Sequence, residues 1–139
     1  MQKPVSYSRK RRSGFTLVEL VVVVLVLGII ASKMFDTAND ARENATIQSL
    51  AVIRDAIELH RAQNGVYPGD LGTEADFKND LKDFLKGAYP TNQIAGSTNN
   101  SDVTVSTAGT ALSAGGSTGW KYDKTSGEFI INTTGFDAL

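Results

Sequence analysis

One carboxylic acid interrupts an otherwise apolar stretch near the start of the chain. Glu19 lies within residues 15–32, where Thr16 and Ser32 are the only other polar side chains. A charged side chain in the apolar part of a bilayer costs about 2.5–3.5 kcal/mol, so an acid at such a position indicates a function. Two interpretations are open. The carboxylate reaches the lipid headgroups by itself, or it pairs with the amino group of a neighbouring copy that begins at Phe15.

The other residues that could carry out catalysis or hold a metal are few and scattered. The chain has no cysteine and one histidine, which excludes disulfides, thiolate metal sites and cysteine nucleophiles. The histidine, His60, falls on the apolar half of a predicted helix, and we interpret it as a hydrogen-bonded residue at the edge of the core. We find no nucleophile–base pair and no phosphate-binding loop in the sequence. We therefore predict no catalytic residue, no metal site, no cofactor and no enzymatic activity.

Residues 15–32 are predicted to form a helix that crosses a membrane. At a rise of about 1.5 Å per residue such a helix is roughly 27 Å long, close to the thickness of the hydrocarbon layer. Five basic residues precede it and only Lys33 follows closely, so the N-terminus is expected in the cytoplasm and the remainder on the far side. A secretory signal peptide lacks support because no Ala-x-Ala site follows. A plain membrane anchor does not explain Glu19.

The sequence Arg12-Ser13-Gly14, followed by Phe15-Thr16-Leu17-Val18-Glu19, resembles the cleavage and methylation signature of type IV prepilins and type II secretion pseudopilins. The resemblance extends over residues 9–68. It implies that a prepilin peptidase cuts between Gly14 and Phe15 and methylates the new amino group of Phe15. It also implies that Glu19 helps to recruit the subunit into a filament.

The resemblance also implies partners and a location. The expected partners are further copies of the chain, the prepilin peptidase, an inner-membrane assembly platform, minor pseudopilins and the membrane itself. The subunit would cross the bacterial inner membrane once, with a cytoplasmic N-terminus and a periplasmic head, and then join a periplasmic filament. The expected organisation is a basic leader at 1–14, a transmembrane or filament-core helix at 15–32, an amphipathic half of the same helix at 33–64, and a globular head at 65–139.

The helical pattern continues beyond the apolar stretch and is expected to run from about Thr16 to Gln63. Asn64-Gly65 then provides a stop signal. On a helical wheel of residues 45–63 one half is apolar, and Ile47 faces the charged half. The residues on the apolar half are Leu59, Val52, Ala45, Ala56, Ile53, Ile57 and Leu50.

The remainder of the chain predicts a small mixed head. Residues 73–87 have the pattern of a short amphipathic helix, with Thr73 as its N-cap and Gly87 at its end. The segment 96–119 is rich in Gly, Ser, Thr and Asn, and within it only 102–106 alternates like a strand, so we expect an exposed loop region. Residues 119–123 and 128–132 predict an antiparallel β-hairpin. The fold class is therefore α+β and pilin-like, with a long helix packed against this head.

The aromatic residues of the hairpin allow two interpretations. Trp120 and Tyr122 could form a stacking platform for a nucleic acid or a sugar, or they could pack against the long helix. Few basic residues surround them, which favours core packing. Removal of the leader would change the net charge from −1 to −6, so we expect no nucleic-acid partner.

The predicted function is that of a structural subunit of a type II secretion pseudopilus, similar to a major pseudopilin. The alternatives are a type IV pilus pilin for adhesion, motility or DNA uptake, and a membrane-anchored periplasmic binding domain. Major pseudopilins often bind calcium in a loop dense in aspartates. Here Asp102, Asp123 and Asp137 are scattered in the sequence, and calcium needs six to eight converging oxygens. We therefore do not predict a calcium site.

Overall fold

The computed structural model describes residues 14, 16–94 and 99–139. Two helices precede three strands, which agrees with the predicted α+β class. The chain divides into two compact units, a first that ends at Asp36 and a second that covers Thr37–Leu139. The elements are α1 (Leu17–Asn64), α2 (Glu74–Leu81), β1 (Asn99–Ser106), β2 (Thr118–Asp123) and β3 (Phe129–Ile131).

Helix α1 begins and ends within one residue of the predicted bounds. It is long and apolar enough to cross a membrane, and its most apolar stretch is not buried by the rest of the chain. At its C-terminal end the chain turns through Gly65, whose φ is +76° and whose N–H donates to Arg61 O at 2.8 Å. This left-handed glycine is a common helix stop.

The wheel predicted too broad a buried face for the second half of α1. Leu50, Ile53 and Ile57 are buried as expected, but Val52 is 51% exposed and Leu59 is 52% exposed. The wheel counts every apolar residue on one half of the helix, whereas the head covers only the narrower arc around Ile53 and Ile57. The apolar residues at the margin of that arc therefore remain on the surface.

The sheet has the order β1-β2-β3 and confirms the predicted hairpin. Strands β2 and β3 pair antiparallel, with Trp120 opposite Ile131 and Tyr122 opposite Phe129. Strand β1 begins three residues earlier than predicted and pairs parallel to β2, with Val103 opposite Trp120. The sheet is thus mixed, where the sequence had suggested an antiparallel one. A parallel neighbour requires a crossover connection, here residues 107–117.

Aromatic side chains of the sheet form the core of the head, which confirms the packing interpretation of Trp120 and Tyr122. Both are fully buried. The Trp120 ring stacks on Phe129 at 5.4 Å between centroids, and Tyr122 stacks on Phe77 of α2 at 4.2 Å. Their polar atoms also have partners, since Trp120 Nε1 donates to Pro90 O at 3.2 Å and the Tyr122 hydroxyl donates to Pro68 O at 2.9 Å.

Helix α2 is shorter than the predicted segment 73–87. Thr73 is its N-cap, as expected, and accepts a hydrogen bond from Asp76 N at 3.3 Å. The helix ends at Leu81, after which both Phe84 N and Leu85 N donate to Leu81 O at 3.0 Å. The chain therefore continues in tight turns, which keep the apolar spacing that had suggested a longer helix.

The crossover 107–117 is largely exposed, as predicted, but side chains of the hairpin region hold it in place. Its backbone N–H groups donate to carboxylate or amide oxygens that lie well away in the sequence. These bonds are Gly109 N to Asp123 Oδ2 at 3.0 Å, Leu112 N to Glu128 Oε2 at 2.9 Å, Ala114 N to Asp137 Oδ2 at 3.1 Å and Gly115 N to Asn132 Oδ1 at 2.7 Å.

Asp123 accepts hydrogen bonds from three parts of the head, of which Gly109 in the crossover is one. Its Oδ1 accepts from Thr125 N and Ser126 N at 2.8 and 3.0 Å, while Oδ2 accepts from the Ser106 hydroxyl at 2.8 Å and from Gly109 N. Burial by itself would raise the pKa of this carboxyl, but the hydrogen bonds outweigh it and lower the pKa to about 2. Asp123 thus joins β1, the crossover and the hairpin turn as a buried anion.

The tight fit of Gly127 against Tyr67 gives a first prediction. Gly127 has a φ of +77°, and a Cβ at this position would overlap the Tyr67 ring. Gly65 has nearly the same φ, but a Cβ there meets no atom within 4 Å. Gly65→Ala should therefore lower the free energy of unfolding by only the backbone cost, about 1–2 kcal/mol. Gly127→Ala should lower it by about 1–3 kcal/mol more.

The fluorescence of Trp120, the only tryptophan of the chain, reports unfolding of either variant during denaturant titration. Equal losses for the two substitutions would contradict the close contact between Gly127 and Tyr67.

The hydrogen bonds of Asp123 predict that the free energy of unfolding decreases at acid pH. Because its pKa is lower in the folded state than in the unfolded chain, its contribution is fully present above about pH 4 and is lost as the pH falls toward 2. Asp123→Asn should cost about 2 kcal/mol at pH 7 and should remove part of this acid dependence. The control is Asp102→Asn, since Asp102 is only half-buried. The free energy of unfolding of each variant is measured at pH 7 and pH 3. Equal pH profiles for wild type and Asp123→Asn would contradict the lowered pKa of Asp123.

Candidate functional site

Glu19 and Thr16 form hydrogen bonds with each other at the first turn of α1. Thr16 N and Thr16 Oγ1 both donate to Glu19 Oε2 at 2.8 Å, and Glu19 N donates to Thr16 Oγ1 at 3.2 Å. This reciprocal arrangement is a capping box, in which a threonine and a glutamate three residues later satisfy helical N–H groups that have no partner within the helix. The sequence Thr-x-x-Glu could have predicted it, but the interpretation of Glu19 considered only its charge.

The capping box leaves acceptor capacity on Glu19. A carboxylate offers about four lone-pair positions, and all the bonds from Thr16 use Oε2. Within the described part of the chain Oε1 accepts no hydrogen bond, and the Glu19 side chain is exposed. The same side chain can therefore cap its own helix and accept a positively charged group from elsewhere.

The predicted cleavage position lies directly before this capping box. Gly14 is exposed and lies outside regular secondary structure, and nothing lies within 4 Å of where its Cβ would be. Phe15 lies outside the described residues, so its methylation stays a prediction. The residues that follow enter helix α1 at Leu17.

The first half of α1 presents an apolar surface. Its large side chains between Leu17 and Ile30 are between 45% and 79% exposed. Contiguous apolar patches larger than a few hundred Å² are rare on soluble monomers and mark contacts with a membrane or with other proteins. Glu19 is the only charged residue in this stretch.

His60 lies at the edge of the head core, as predicted. It is 7% exposed, its Nδ1 lies 3.2 Å from Val66 O, and its ring meets the edge of Phe84 with centroids 5.7 Å apart. Its environment is therefore that of a hydrogen-bonded histidine at the margin of the core.

Two of the three aspartates considered for a calcium site already have hydrogen-bond partners in the protein. Both oxygens of Asp123 already accept hydrogen bonds from the protein, and Asp137 Oδ2 accepts from Ala114 N. That bond from Ala114 is also the main cause of the lowered pKa of the Asp137 carboxyl. Over residues 16–94 and 99–139 the structure contains no group of three or more His, Cys, Asp or Glu side chains that could hold a metal ion.

Comparison with known proteins identifies the N-terminal segment. Residues 9–32, which include Gly14, Phe15 and Glu19, match the family described as the prokaryotic N-terminal methylation motif. The chain is 32% identical over 71 residues to type II secretion system core protein G of Vibrio cholerae, an alignment that covers 48% of this chain and 49% of that protein. The same protein of Pseudomonas aeruginosa is 32% identical over 72 residues, 48% of this chain and 51% of that protein.

Core protein G of Aeromonas hydrophila is 31% identical over 64 residues, 43% of this chain and 45% of that protein. The chain therefore spans about half the length of the curated relatives it matches. No solved structure matches the chain. The chain carries the prokaryotic N-terminal methylation motif, and about half of it is similar to core protein G of type II secretion systems.

Proposed function

We propose that the chain is a structural subunit of a type II secretion pseudopilus. A prepilin peptidase cuts between Gly14 and Phe15 and methylates Phe15, and the processed chain joins a periplasmic filament. The observation that carries this proposal is the exposed apolar surface of α1, which begins at the methylation motif and contains a single acid. The similarity to core protein G supports a type II secretion system.

Each segment has a role in this proposal. Residues 1–14 are a basic leader that stays in the cytoplasm, and residues 15–32 cross the inner membrane before they enter the filament core. Residues 33–64 continue α1 as the support of a periplasmic head at 65–139. The partners are copies of the chain, the prepilin peptidase, an inner-membrane assembly platform and minor pseudopilins. The chain itself carries out no catalysis.

Glu19 has two tasks in the proposed filament. Its Oε2 caps α1 through Thr16, and its Oε1 accepts the charged amino group of Phe15 from a neighbouring copy. Such a charge-assisted bond is about twice as strong as a neutral one, and the apolar surroundings of the helices strengthen it further. The exposed Val52 and Leu59 offer additional apolar surface for neighbouring subunits.

A second candidate is a type IV pilus pilin, because the sequence of residues 9–68 resembles both classes of filament subunit and the methylation motif at 9–32 does not separate them. Both candidates share the cleavage position, the membrane helix and the role of Glu19. They differ in the machine that the filament serves.

Processing can be measured directly. In a host that has the prepilin peptidase, mass spectrometry of the mature protein should show an N-terminus at methylated Phe15. The same chain expressed in a host without the peptidase provides the control and should keep Met1 and the leader. Retention of the leader in both hosts would contradict the proposed cleavage.

Two substitutions separate the charge of Glu19 from its capping role. Glutamine at this position can still cap Thr16, so Glu19→Gln removes the charge alone, whereas Glu19→Ala removes both. If the charge recruits the neighbour, both variants should be processed normally, and both should reduce incorporation into sheared filaments roughly tenfold or more. The matched control is Glu58→Gln, an exposed position on the same helix. Normal filaments from Glu19→Gln would show that capping, and not charge, is the role of this residue.

A further inference from the structure

The outward face of α1 in the second unit carries one acid between two apolar side chains. Val52, Asp55 and Leu59 are spaced three and four residues apart, so they lie on the same face of the helix. All three are exposed. The Asp55 carboxylate forms no hydrogen bond or ion pair with any residue that the structure describes. We call these three residues the acidic stripe.

The two arginines that lie near Asp55 in the sequence are bound elsewhere on the head. Arg54 Nε donates to Phe129 O at 3.0 Å. Arg61 Nη1 donates to the Tyr67 hydroxyl at 2.6 Å, and its guanidinium carbon lies 4.4 Å from the centroid of the same ring. Both guanidinium groups therefore point to the head core and its loops, and the charge of Asp55 is left without an opposite charge beside it.

A groove of about 140 Å³ at the end of α2 has the opposite charge. The ammonium group of Lys78 lies 4.9 Å from the centroid of the Tyr89 ring and pairs with Glu74. The Lys82 side chain is exposed and has no hydrogen bond or ion pair among the described residues. We call this surface the basic groove, and the residues that line it are Lys78, Lys82, Leu85, Gly87 and Tyr89.

The two surfaces are complementary in charge and in apolar character. No acid and no residue of α1 is among the residues that line the basic groove, so the two surfaces are separate. Each combines one charged group that has no partner with apolar side chains next to it. Such a combination suits an interface, because the apolar contacts exclude water from around the ion pair and thereby strengthen it.

We propose that the acidic stripe of one copy of the chain binds the basic groove of a second copy, with Asp55 paired to Lys82. Val52 and Leu59 then cover the apolar lining of the groove. This inference rests on the proposed function, because it specifies how the heads of neighbouring subunits meet in the filament.

A contact between two different surfaces has a consequence for assembly. Each copy that uses its acidic stripe still has a free basic groove, so a further copy can bind in the same way. Contacts of this kind produce rings or open helical filaments, whereas a closed dimer joins the same surface of both copies. Complementary charges mainly select the correct partner and register. The role of the contact is therefore to determine which neighbour is bound and in what register.

An exchange of charge between the two surfaces tests the contact in cells that contain the prepilin peptidase and the secretion machinery. Asp55→Lys and Lys82→Glu each place like charges opposite one another, and each should lower the amount of subunit in sheared filaments roughly tenfold. The double variant restores an opposite pair and should recover at least about half of the wild-type amount. Such recovery also excludes misfolding as the cause of the single losses, because a substitution on a separate surface does not repair a misfolded head.

The matched control combines Asp55→Lys with Arg42→Glu. It has the same net charge as the exchanged pair but leaves Lys82 in the groove, so it should assemble no better than Asp55→Lys alone. The inference is overturned by recovery in this control, by normal filaments from either single variant, or by lack of recovery in the exchanged pair. The wild-type chain distinguishes the two levels of failure. If processed wild type forms no filaments, the proposed function is wrong, whereas any of these three outcomes beside normal wild-type filaments refutes the contact alone.

Discussion

The exposed apolar surface of α1 determines what this protein requires from its surroundings. The large apolar residues from Leu17 to Ile30 expose between 45% and 79% of their area. Each Å² of apolar surface left in water costs about 25 cal/mol, so a helix of this kind is not stable in water by itself. A bilayer or the same surface of further copies can cover it. Glu19 is the one group in the stretch for which lipid is a poor environment, and a neighbouring amino group would provide a partner that lipid does not.

The head, by contrast, buries most of its large apolar side chains within its own core. Its aromatic rings stack on one another across the sheet and α2, and the polar atoms of Trp120 and Tyr122 reach backbone carbonyls. The buried charge of Asp123 is also stabilised, because N–H and O–H donors surround its carboxylate. The two units therefore have different physical requirements. The second unit has a complete core of its own, whereas the apolar half of α1 requires surroundings that the chain does not supply.

Periodic patterns allowed the long helix and the hairpin to be predicted from the sequence. The wheel placed Val52 and Leu59 in the core because a helical pattern does not show which arc another element covers. The parallel pairing of β1 and the bonds of the crossover to Asp123 and Glu128 depend on residues distant in sequence, for which no local pattern exists. The Thr-x-x-Glu spacing of Thr16 and Glu19 is typical of a capping box, but the sequence analysis did not predict one. Glu19 was interpreted only as a charged side chain in an apolar stretch.

Cross-linking in intact cells tests whether copies of the chain cover one another along α1. The natural chain has no cysteine, so the double substitution Val24→Cys and Val52→Cys introduces the only two thiols. Both positions are exposed along α1, and each chain can then be joined to two others by a short bis-maleimide reagent. Self-assembly predicts a ladder of dimers, trimers and larger multimers on a denaturing gel. Monomers alone, in cells that contain the processed chain and the secretion machinery, would contradict the account.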